Sequence, residues 1–82
     1  MTDGLENEWH DFFQAEKRDF VRYKLRPLLG DVDKSIESVE YVVDERSEME
    51  FVIIGYPERA EKKINVTHDS LSALCQDVLR VF

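Results

Sequence analysis

The run Phe51-Val52-Ile53-Ile54 is apolar at every position and is bounded by Glu50 and Gly55. A strand with no polar side to offer water belongs in the middle of a sheet, covered on both faces. This requirement orders what lies around it. In the preceding segment Val39, Tyr41 and Val43 alternate with Ser38, Glu40, Val42 and Asp44, the period of a strand with one apolar face. Residues 44–48, Asp-Glu-Arg-Ser-Glu, supply the turn between the two. Gly55, Tyr56 and Pro57 end the central run, because Pro57 has no N–H to give a ladder. A third strand is expected from about Ala60 to Val66, with Ala60, Lys62, Ile64 and Val66 alternating against Glu61, Lys63 and Asn65. Its lysines suit an edge guarded against further pairing. The short links predict an antiparallel meander in the order 1-2-3.

Helical periods flank this centre. Leu5, Trp9, Phe12, Phe13, Phe20 and Tyr23 fall on one broad stripe at about 100° per residue. They predict an amphipathic helix with an aromatic inner face, running from about Leu5 to Leu29. Asp3 and Gly4 suit its start, and Glu6 and Glu8 suit the positive end of its dipole. Pro27 removes a backbone donor and disfavours helix at Arg26. The main helix is therefore expected to end near Leu25, with a further short turn capped by a left-handed Gly30. At the other end of the chain, Thr67 is the expected N-cap of a last helix. Its apolar stripe is Leu71, Leu74, Cys75, Val78, Val81 and Phe82. The fold class is α+β, helix-strand-strand-strand-helix, in one small domain covering residues 1–82.

Composition excludes several functions. The chain of 82 residues has 18 acids against 11 bases, a formal net charge of −7. That balance argues against sequence-independent nucleic-acid binding, which needs Lys and Arg to neutralise phosphates. The acid is local. Residues 35–56 hold Glu37, Glu40, Asp44, Glu45, Glu48 and Glu50 against the single base Arg46. The one cysteine forms no internal disulfide, as expected in a reducing cytoplasm. Met1-Thr2-Asp3-Gly4 has neither the basic nor the apolar region of a signal peptide, and no apolar run nears the roughly 18 residues of a membrane span.

Each candidate for chemistry has a plainer structural explanation. Cys75 as a nucleophile would need a base or a positive field. His68 lies seven residues earlier, about 10.5 Å away along a helix, and Cys75 sits in an apolar stripe where it behaves as a small hydrophobe. His10 and His68 lack the spacing of a metal site. Glu16 lies within the aromatic stripe between Phe12, Phe13 and Phe20, where a buried carboxyl would have a raised pKa. Pairing with a basic residue, or a stripe wider than the buried contact, is the stronger explanation. Arg18, Arg22 and Arg26, flanked by Lys17 and Lys24, form a ridge that suits phosphate, but the aromatics that would stack bases lie opposite. The hairpin acids match no calcium loop, and Asn65-Val66-Thr67 matches a glycosylation pattern by chance in an unsecreted chain. Gly4, Gly30 and Gly55 are too far apart for a phosphate loop. No catalytic residue, metal or cofactor is expected, and an enzyme built on Glu16 or Cys75 is the least favoured reading.

Surfaces remain. With Val39, Tyr41, Val43, Phe51, Ile53, Ile64 and Val66 inward, the sheet leaves Val42, Val52, Ile54 and Tyr56 on its second face. If both helices cover one side, these four form an exposed patch framed by Glu40, Glu50 and Lys63, suited to a partner or a second copy. If one helix covers each side, nothing is left over. The first arrangement is preferred because it completes one core.

The stretch Lys63-Ile64-Asn65-Val66-Thr67-His68-Asp69-Ser70-Leu71-Ser72-Ala73-Leu74, continuing through Asp77-Val78-Leu79, resembles small proteins carried on conjugative transposons and phages of Gram-positive bacteria. In these an Asn-Val-x-x-Asp-Ser segment leads from a strand into a terminal helix. The likeness covers about the last third of the chain and the strand at Phe51 to Ile54. It brings no catalytic residues and implies an accessory protein of a mobile element. The expected function is therefore a non-enzymatic cytoplasmic protein that binds another protein, or a second copy, through Glu40, Asp44, Glu45, Glu48, Glu50, Val52, Ile54 and Tyr56. The alternative is an acidic mimic of DNA that occupies a nucleic-acid-binding protein.

Overall fold

A computed structural model describes residues 13–82. Helix α1 covers 13–32 of them. Strands β1 (Ser38–Asp44), β2 (Met49–Gly55) and β3 (Lys62–Asn65) follow, then helix α2 (Leu71–Leu79). The sheet is antiparallel in the order β1-β2-β3. The chain is therefore α+β with a central β2, as the apolar run requires. Leu5, Trp9, His10 and Phe12, together with the expected helix start, lie outside the described residues.

Pro27 does not end α1, which continues to Val32. The residues before it, Val21–Leu25, form a π-helical turn, and the Arg26 N–H reaches back five residues to the Val21 carbonyl. Proline lacks the N–H for an ordinary helical bond, and its ring clashes with the carbonyl four residues earlier. The wider turn places Pro27 in the first positions of the next helical segment, where no donor is needed. Gly30 is consequently helical, not a left-handed cap; no glycine among the described residues has a positive φ.

The π-turn also changes which face is buried. The inner column is Lys17, Val21, Leu25 and Leu29, each spaced by four. In an ordinary helix such a column walks about 40° around the axis per step; a wider turn reduces that drift and keeps the residues over the sheet. Of the aromatics expected on this face, those among the described residues are not in the core: Phe13 is 53% and Tyr23 64% exposed, and Phe20 packs against the core margin. Arg18, Arg22 and Arg26 stand beside the buried column, where they line a groove with Val39 and Tyr41.

One core unites Val21, Leu25 and Leu29 of α1, Leu74 and Val78 of α2, and Val39, Tyr41, Val52, Ile54, Tyr56, Ile64 and Val66 from the sheet side. Both helices thus cover the same sheet face. The parity of β2 is the reverse of the expected one. Tyr41 pairs with Val52 and Val39 with Ile54, so Val52, Ile54 and Tyr56 face the helices, while Phe51 and Ile53 face outward with Val42. Ser70 caps α2 in place of Thr67, its Oγ accepting from the Ala73 N–H at 3.1 Å.

If the aliphatic column seats α1, Leu25→Ala costs about 2–5 kcal/mol and Tyr23→Ala changes stability by no more than about 0.5 kcal/mol, measured by chemical denaturation. The reverse ranking would show that the aromatic face is the buried one.

Candidate functional site

Two places bring chemistry-bearing residues together: a polar cluster under α1 and the outer face of the sheet. The cluster centres on Glu50, which occupies an inward position of β2 and is 3% exposed. Its Oε1 accepts from Lys17 Nζ at 2.8 Å and from the Tyr41 hydroxyl. Its Oε2 accepts from the His68 backbone N–H at 3.1 Å. Its own N–H donates to Thr67 Oγ1 at 2.8 Å, and its carbonyl accepts from the Val66 N–H at 2.8 Å. Glu50 therefore holds α1, β1 and the β3–α2 loop at one point.

The loop is shaped to reach it. Asn65 Oδ1 accepts from the Thr67 N–H at 2.9 Å, a local turn bond typical of Asn. His68, whose N–H donates to the carboxylate, takes a left-handed φ of 63°. Lys17, with no counterpart in the aliphatic column, is 7% exposed and brings the compensating charge that a buried carboxylate needs.

The electrostatics follow. Burial pushes the Glu50 carboxyl up, but hydrogen bonds from Lys17, Tyr41 and His68, with the Lys17 charge, outweigh it and leave its pKa below the ordinary 4.5. A lowered native pKa gives stability that is complete above the unfolded value and is lost as pH falls through the native one. Burial, then the bond to Glu50 and its negative charge, raise the Tyr41 hydroxyl. Asp69 has the opposite sign to Glu50: burial first, then the neighbouring Asp77 carboxyl, raise it. Asp69 Oδ2 is buried and meets no donor among the described residues.

A pocket of about 340 Å³ lies over this cluster, between Phe13, Lys17, Glu50, His68 and Asp69. Both Glu50 carboxylate oxygens accept bonds within the cluster, one of them from Lys17, which ties the fold together beneath the pocket. Glu16, expected within a buried stripe, is solvent-exposed instead, because it stands one position round the helix from the buried column that begins at Lys17. The His68 side chain is exposed, and Cys75 is partly buried against the core. Glu16, His68 and Cys75 share no pocket among those found in the described residues. No group of three or more potential metal ligands occurs among the described residues, and no described helix is long and apolar enough to cross a membrane.

The expected partner-binding set divides. Glu50, Val52, Ile54 and Tyr56 are buried, because the β2 parity turns them toward the helices. Tyr56 is further covered by Arg59, whose guanidinium lies 3.9 Å from its ring centroid. Glu40, Asp44, Glu45 and Glu48 are exposed. Asp44 is committed to its turn: its carboxylate accepts from the Arg46 N–H at 3.0 Å and its carbonyl from the Glu48 N–H at 2.8 Å. The Arg46 bond, with Ser47, lowers its pKa. Arg18, Arg22 and Arg26 are exposed, with Arg18 5.8 Å from the Tyr41 ring centroid.

Among the described residues, the outer sheet face is the surface that neither helix covers. Its cross-strand rows are Glu40–Ile53–Lys63 and Val42–Phe51–Asn65. Val42 is exposed, and Phe51 and Ile53 are half-buried. The Lys63 ammonium lies 4.3 Å from the Phe51 ring centroid, its stem laid across apolar surface as long cationic side chains do. The sequence signal for this face was present in Val42, Phe51 and Ile53, but a run apolar on both sides does not say which side is inward. No family model, curated protein or solved structure matches the chain.

Two outcomes test the cluster. Glu50→Ala should destabilise by about 3–5 kcal/mol, because it leaves Lys17 buried without its counter-charge. Glu45→Ala, in the exposed turn, should change stability by no more than about 0.5 kcal/mol; equal small losses would contradict the assignment. For Asp69, a raised native pKa contributes stability that is present below the ordinary 3.8 and lost as pH rises through the native value. Asp69→Asn should therefore raise the melting temperature at pH 7, with the gain shrinking as pH falls toward 3.8.

Proposed function

We propose that this is a non-enzymatic protein-binding protein whose contact surface is the outer face of the sheet. One observation carries the reading: β2 presents Phe51 and Ile53, beside Val42, on the face that neither helix covers among the described residues. Antiparallel sheets usually give water a polar face, and contiguous exposed apolar surface usually marks an association site. Glu40, Asp44 and Lys63 frame the patch and supply the polar rim of an interface.

The segment from Lys63 to Leu74 supports a cytoplasmic accessory role on a mobile genetic element, through its likeness to such proteins. The acidic DNA-mimic reading loses ground, since it needs carboxylates spaced like phosphates on one continuous surface. Glu50 is buried and Asp44 is bound into its turn, which leaves a shorter and interrupted acidic set.

Site-specific photocrosslinking in cells that express the protein tests the proposal. A photoreactive residue at Val42 or Ile53 should give a covalent protein adduct, whereas one at Leu28 or Lys34, exposed elsewhere, should not. Adducts absent at 42 and 53 would overturn it.

A further inference from the structure

We infer that the partner on the outer face is a second copy of this chain, packed face to face about a two-fold axis parallel to β2. The inference rests on the reading of that face as the binding surface and names its occupant. It is carried by the distribution of charge across the sheet. In the row Glu40–Ile53–Lys63 the acid stands on β1, the apolar residue on the central strand and the base on β3. The next row, Val42–Phe51–Asn65, is uncharged.

A homodimer with a two-fold axis uses the same patch on both subunits, so that patch must complement itself. Rotation about an axis along β2 exchanges the β1 side of the sheet for the β3 side and keeps each row at its own height. Glu40 of each copy then lies opposite Lys63 of the other, giving two equivalent ion pairs. Ile53 meets Ile53 and Phe51 meets Phe51 between them. Stacked sheets keep their strands within about 30° of alignment, which this axis permits. The other in-plane axis, across the strands, stacks β1 on β1 and β3 on β3. It also inverts the order of the rows: with the axis at the Glu40 row, Glu40 meets Glu40 and Lys63 meets Lys63, and with it at the Val42 row, Glu40 meets Asp44, and like charges so placed disfavour an interface. Lys63 already extends over this face, its ammonium above the Phe51 ring, within reach of a carboxylate brought by an opposing copy.

Charge reversal tests both the occupant and the axis. Sedimentation of the full chain over a range of concentrations should show a monomer–dimer equilibrium. Glu40→Lys alone and Lys63→Glu alone each place two like-charged pairs in the dimer and should weaken it about tenfold or more. Mixed in equal amounts, the two variants should dimerise with each other, because the introduced lysine of one faces the introduced glutamate of the other. The double variant should dimerise like the unaltered chain. Glu58→Lys, with the same charge change away from this face, should have no effect. A chain that stays monomeric at every concentration, single variants that dimerise undiminished, or a mixture that stays monomeric would overturn the inference. The two readings separate by the mass of the photocrosslinked adduct at Val42 or Ile53. Twice the chain's own mass supports the second copy; any other protein mass overturns it and leaves the binding face standing.

Discussion

The Lys17–Glu50 ion pair decides which way the sheet faces. Strand β2 is apolar from Phe51 to Ile54, so hydrophobicity leaves its two orientations nearly equivalent. A one-residue change of parity exchanges every side chain between core and solvent. Glu50 breaks the tie. With it inward, Val52, Ile54 and Tyr56 follow into the core, and the carboxylate meets Lys17, Tyr41 and the His68 N–H. With it outward, Lys17 would be buried with no counter-charge, a cost of several kcal/mol. The pair selects among packings more than it adds to stability, since burying both charges consumes most of what their attraction returns.

The same pair fixes α1. Lys17 heads the column Val21, Leu25 and Leu29, and the π-turn before Pro27 keeps that column over the sheet. Proline here leads to a wider turn, not an end. The helix can then lay an aliphatic face on the core while Phe13 and Tyr23 stay outside. Arg18, Arg22 and Arg26 are set one position round from the buried column and lean over β1 as a consequence.

Much of the architecture was legible in the sequence. Alternation at Val39, Tyr41 and Val43, the apolar run, the lysine-bearing edge strand and the stripe at Leu74 and Val78 all give the observed element order and the central place of β2. The error lay in the choice between faces. Aromatic residues dominated the helical stripe, although Tyr23 is exposed and Phe13 only lines the pocket beside Lys17 and Glu50. Lys17 passed as a flank of the arginine ridge, because a buried lysine is recognisable only with its partner, and Glu50 lies 33 residues away. Glu16 attracted attention for the same reason: it sits between aromatic residues, but one position round the helix from the column that is buried. The candidate site inherited this inversion, so the outward-facing apolar residues are Val42, Phe51 and Ile53 rather than Val52, Ile54 and Tyr56.

A division of labour follows between the two sides of one strand. The inward side of β2 carries the buried charge that anchors both helices, and the outward side presents the apolar surface we assign to association. The orientation of Glu50 is thus the claim on which both parts stand. Its most direct test is a carbon-13 NMR titration of the Glu50 side-chain carboxyl in the folded chain. The account predicts a carboxylate that titrates below the ordinary 4.5, held by its three donors. A carboxyl that titrates at 4.5 or above would contradict it and would place Glu50 outside this cluster.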